Sequence, residues 1–75
     1  MTAEDIVKLM QRVEWLCQNP ANTIDPGCRA WSRAYCVRVI AIGREYMRRN
    51  AHTELAPLLV NTALTALNRI DNGVS

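Results

Sequence analysis

One histidine and three cysteines are the residues best equipped for covalent or acid–base chemistry in this chain. Cys28 follows Asp25-Pro26-Gly27, a turn signal that also opens a helix, so its thiol falls in a first helical turn where the dipole favours a thiolate. His52 is the single candidate base, in the short connection Ala51-His52-Thr53, where no orienting partner can be assigned to it. A nucleophile whose base is not held in place is not a catalytic arrangement. The spacing of Cys17, Cys28, Cys36 and His52 matches no zinc site. Gly27, Gly43 and Gly73 are scattered, so no glycine-rich loop exists to cradle phosphate, and the carboxylates are dispersed along the chain. These residues predict a protein that is not an enzyme and that needs no metal or cofactor.

The thiols read as structural. Cys28 and Cys36 lie on one helix at a separation of about 12 Å along its axis, too far to bridge. An odd count without a close pair predicts buried free thiols in a reducing compartment.

A second group of residues has a spacing that suits binding. The stretch "RAWSRAYCVRV" carries Arg29, Arg33 and Arg38 inside a run otherwise fit for a core, and Arg44, Arg48 and Arg49 follow. Residues 26–50 hold six arginines against one acid, Glu45, for a charge of +5, while the rest of the chain carries −3. On a helical wheel Arg29, Arg33, Arg44 and Arg48 share an arc of roughly 100° along about 28 Å of helix. Arg38 and Arg49 point elsewhere. Three uses of this stripe compete: a solvated face, an acidic protein partner and nucleic acid. Arginine suits bidentate contacts to carboxylate and phosphate alike. A preponderance of arginine over lysine, eight to one, is also what a GC-rich genome produces.

The elements that position these residues are three helices. The first, at about residues 3–18, has Thr2 as cap with Asp5 in a loose capping box, and Ile6, Leu9, Met10, Val13, Leu16 and Cys17 at helical spacing. Trp15 falls off that stripe, beside Glu4, Lys8 and Gln11, and is a candidate aromatic anchor for a partner. Residues 18–26 read as a loop. Asp25 caps the second helix, Pro26 opens it, and Ile24 is placed to act as a hydrophobic staple. That helix, at about 26–50, is the longest and is expected to be central. Its core side is read as Trp31, Tyr35, Val39, Ile42 and Tyr46, with Cys36, Ile40 and Met47 extending the arc, and the arginine stripe opposite. Gly43 inside it predicts a close helix crossing, and Asn50 a stop. Thr53 is a candidate cap for a third helix, at about 54–71, with the stripe Leu55, Leu58, Leu59, Ala63, Ala66, Leu67 and Ile70 and a stop at Asn72-Gly73. The expected fold is all-α, a small three-helix bundle formed by one domain over residues 1–75, with antiparallel packing across the short second connection.

The third helix carries no charge from Leu55 to Asn68. Its outer strip of Asn61, Thr65 and Asn68 is uncharged and small, which permits close approach by another helix. With so short a chain and so small a core, this predicts a homodimer. The same helix argues against a helix-turn-helix DNA reader, because Arg69 is its only cation. A nucleic-acid-binding regulatory module using the second helix's arginines is the rival reading.

No apolar run reaches the roughly 20 residues of a membrane span. The N-terminus begins with acids and lacks the basic region of a signal peptide, so the expected location is cytoplasmic. In size and in lacking chemistry the chain resembles the very small proteins of phages and mobile elements that bind and block a host protein. The resemblance implies an inhibitor, and the arginine stripe and the off-stripe tryptophan imply that Arg29, Arg33, Arg44, Arg48 and Trp15 meet an acidic protein surface.

Overall fold

The computed structural model describes residues 1–72 and is all-α. Helices α1 (Ala3–Gln18), α3 (Pro26–Arg48) and α4 (Leu55–Asn72) form the bundle, and a one-turn helix, α2 (Ala21–Ile24), sits in the first connection. The loop expected at residues 18–26 is therefore partly helical. Asn22 is buried there and donates from Nδ2 to the Leu16 carbonyl at 2.8 Å, which satisfies one of the orphan acceptors at the end of α1. Thr23 donates its hydroxyl to the Pro20 carbonyl at 2.8 Å.

The helix starts are made by local chemistry. Thr2 and Asp5 exchange backbone-to-side-chain bonds at 3.1 and 3.2 Å, a full capping box. Asp25 accepts from the Cys28 amide at 3.0 Å, with Pro26 at the first helical position. These bonds to backbone amides hold both carboxyls below their usual range. Helix α3 ends in a Schellman motif. Asn50 takes a left-handed conformation with φ 57°, its amide donates to Met47, and the Ala51 amide reaches back to Tyr46 at 2.9 Å. Thr53 does not cap α4, which begins two residues later with Pro57 in its first turn. The other end of α4 reaches Asn72, and Gly73 of the expected stop lies outside the described residues.

The helices run up, down and up. Arg33 meets Asp71 and Gly43 meets Val60, so α3 and α4 are antiparallel. Arg12 meets Tyr35 where α1 passes α3. His52 lies against the Met1 carbonyl and Arg69 against Cys17, so α1 and α4 are parallel. The longest helix is α3, but the centre of the packing is α4, on which both α1 and α3 rest while touching each other little.

The core is Ile6, Val13, Leu16 and Cys17 of α1, Cys36, Val39 and Ile40 of α3, and Ala56, Leu59, Val60, Ala63, Ala66 and Ile70 of α4. The α1 stripe is as expected. The α3 face is not. Its buried side is Ser32, Cys36, Val39, Ile40 and Gly43, and Trp31 is 59% exposed. Tyr35, Ile42 and Tyr46 pack only at the margin of the core. The reason is close approach. A Cβ built on Gly43 would stand 2.5 Å from Val60 Cγ2 and 3.4 Å from the Ala56 carbonyl oxygen. A helix pressed this near its neighbour turns its small residues inward and its tryptophan out. Four further expectations change, the first at Met47, which is 46% exposed. Leu58 is 53% exposed, Ile24 is 77% exposed and so is no staple, and Cys28 is an exposed thiol.

Candidate interaction surfaces

The arginine stripe divides when the helices assemble. Arg29 donates from Nη2 to the Asp71 carbonyl at 2.7 Å, and Arg33 from Nε to the Asp71 carboxylate at 3.0 Å. Both cations thus sit at the C-terminal end of α4, where carbonyls lack intrahelical partners and the dipole is negative. Arg48 and Arg49 converge on Glu45 at 2.6 and 2.9 Å. That double pairing pulls the Glu45 carboxyl down to about 2, the Arg48 hydrogen bond being the main cause. Arg44 alone of the four stripe residues makes no side-chain hydrogen bond or ion pair among the described residues. Arg38, outside the stripe, is equally unengaged.

Trp15 stands 60% exposed on α1, away from the buried stripe, as the sequence implies. The outer strip of α4 borders a groove of about 370 Å³ between α1 and α4, lined by Glu14, Gln18, Leu58, Asn61, Thr65 and Arg69 among others. Asn61 and Thr65 are exposed in its wall. Asn68 is exposed outside the groove and accepts at Oδ1 from Asn72 Nδ2 at 2.6 Å. The groove holds one acid and one base, Glu14 and Arg69, among uncharged residues. Its thiol, Cys17, is buried, donates to the Glu14 carbonyl at 3.2 Å, and lies 3.9 Å from an Arg69 guanidinium nitrogen.

A further face was not foreseen. Trp31, Tyr35, Arg38 and Ile42 follow one another at i, i+4, i+7 and i+11 and so share one side of α3. The Trp31 and Tyr35 rings stack with centroids 5.7 Å apart and an interplanar angle of 30°. From α1, Arg12 Nη1 approaches the Tyr35 hydroxyl at 3.5 Å. The spacing was visible in the sequence, but a tryptophan at helical spacing reads as core until the position of the neighbouring helix is known.

His52 is engaged structurally. Its backbone has φ 49°, its Nε2 lies 3.0 Å from the Met1 carbonyl oxygen, and its ring meets Tyr46 edge-on at 4.9 Å. No group of three or more potential metal ligands is found among the described residues. No described helix is long and apolar enough to cross a membrane. No protein-family model matches the chain, and neither the curated proteins nor the solved structures contain a match to it.

Proposed function

We propose that this chain is a small non-enzymatic interaction module that binds a protein carrying an acidic surface. The observation that carries the reading is the placement of the tryptophans. Both stand more than half exposed, at 60% and 59%, while the fully buried core contains no aromatic ring. Burying a tryptophan contributes more than burying any other side chain, and a small domain has little apolar surface to spare. A fold that leaves both rings outside keeps them for another surface. Arg38, which makes no ion pair among the described residues and lies on the Trp31 side of α3, gives that surface its sign. Blocking of a host protein in the cytoplasm, as small inhibitors of phages and mobile elements do, is the form of this function that the proposal takes. Self-association through Asn61, Thr65 and Asn68 is compatible with it, because that strip lies on α4 and Trp31 and Arg38 lie on α3.

The test is affinity capture on the immobilised chain, with and without nuclease. A stoichiometric protein partner that survives nuclease and is released by raised salt is the expected result. Capture that disappears with nuclease assigns the chain to the rival class, a nucleic-acid-binding regulator.

A further inference from the structure

We infer that the Trp31–Tyr35–Arg38 face of α3, joined by Arg12 of α1, is the docking surface, and that its occupant is an acidic protein segment in which carboxylates flank an apolar side chain. The inference deepens the reading above and rests on it. It moves the contact from the Arg29/Arg33/Arg44/Arg48 stripe to the opposite flank of the same helix.

The composition of the face is the first argument. Tryptophan, tyrosine and arginine are the residue types that dominate binding energy at protein interfaces, and here they adjoin one another. The rings are also held in place: Trp31 stacks on Tyr35, and Tyr35 is half-buried with its hydroxyl beside Arg12. An aromatic fixed before binding loses less freedom on docking than a loose one.

Charge selects the occupant. Arg38 makes no ion pair among the described residues. The nearest acid on its helix face, Glu45, is already shared by Arg48 and Arg49. Asp5, which lines a shallow depression with Arg12, is turned to the Thr2 amide. Two cations therefore border an apolar centre of Trp31, Tyr35 and Ile42 with their charge uncompensated. Carboxylates at either side of an aliphatic or aromatic residue match that order. A second copy of this chain does not, since a symmetric contact would set these arginines against each other. Nucleic acid is a poor match as well. Its affinity grows with the number of phosphates neutralised, and this face offers two cations. One face of the Trp31 ring is also occupied by Tyr35 and so closed to a base.

The experiment uses the full chain. Random peptides from a displayed library are selected on the immobilised protein. Enriched sequences are synthesised and titrated against the parent, Trp31→Ala, Arg38→Glu and Arg44→Glu. All three positions are exposed, and circular dichroism checks that each variant keeps its helices. The expected peptides carry Asp or Glu around an aliphatic or aromatic residue. Trp31→Ala and Arg38→Glu each weaken them by about tenfold or more, and Arg44→Glu by less than about twofold. The Trp31 indole resonance shifts on binding. Acidic peptides that depend on Arg44 and not on Trp31 overturn the assignment of the face while leaving the module reading intact. A library without enrichment, or enriched peptides lacking acids, overturns the assignment too. A single-stranded oligothymidylate that binds through Trp31 more tightly than any peptide overturns both.

Discussion

Single atoms decide several properties of this bundle. Ser32 is completely buried on the inner face of α3, and its Oγ has no hydrogen-bond partner among the described residues. A buried hydroxyl without a partner costs about 1–3 kcal/mol of desolvation. Ser32→Ala removes the group and improves helix propensity, so stability in urea should rise by about 1 kcal/mol; a fall would mean that the oxygen is satisfied by a bound water. The thiols divide by position. Burial, with lesser contributions from Cys17 and Asp71, pushes the Cys36 thiol up to about 11. A thiol reagent at neutral pH should modify Cys28 at once, and Cys17 and Cys36 only on unfolding. The folded value of Cys36 lies above its unfolded value of about 9. Its contribution is therefore complete below about 9 and is lost as the pH rises through 11, so a Cys36→Ala variant should show a flatter alkaline limb of stability than the parent.

Between helices the decisive feature is the crossing at Gly43. Alanine there gains about 1 kcal/mol in helix propensity. The new methyl would, however, stand 2.5 Å from Val60 Cγ2, a branched side chain with little freedom to move, so α3 and α4 must separate. Gly43→Ala should lower stability by about 1–2 kcal/mol net, and Val60→Ala in the same chain should restore part of the loss, as a double-mutant cycle by denaturant unfolding will show. At the end of α3, Asn50 bears a left-handed conformation that glycine adopts without strain. Asn50→Gly should be neutral or slightly stabilising, and Asn50→Val should cost about 1 kcal/mol or more in thermal melts. These elements also show what a sequence discloses. The caps at Thr2, Asp25 and Asn50 were readable because each depends on residues within a turn of itself. The stripes of α1 and α4 were readable, apart from Leu58, because each packs one apolar face. The inner face of α3 was not. Two margins compete there, Trp31/Tyr35/Ile42 and Ser32/Gly43, beside the shared Cys36, Val39 and Ile40, and periodicity favours the more apolar one. What reverses the choice is the distance to α4, a tertiary quantity. For the same reason the pairing of Arg29 and Arg33 with Asp71 was hidden, since it depends on where another helix ends.

At the scale of the whole molecule, the two surfaces named above lie on different helices. The aromatic face borders α1 at the Arg12–Tyr35 contact, and the uncharged strip of α4 borders the groove between α1 and α4. If the strip joins two copies, each copy keeps its aromatic face open, and a Thr65→Arg substitution should return the protein to a particle of 8.5 kDa by light scattering with its helicity unchanged. The packing order of the helices has a consequence of another kind. Helix α1 rests chiefly on α4, the element farthest from it along the chain, and only lightly on α3. The α3–α4 hairpin closes through residues 49–54 with its turn already shaped by the Schellman motif. Docking α1 requires closing a loop that contains all of α3, at a greater cost in chain entropy. The order of folding should follow: the hairpin forms first, and α1 joins it late. Native-state hydrogen exchange is then expected to divide the chain into two cooperative units, with the amides of Val13 and Leu16 released by a smaller opening than those of Ile40, Leu59 and Ala63. Uniform protection across these five residues would show instead that the bundle assembles and comes apart as one piece.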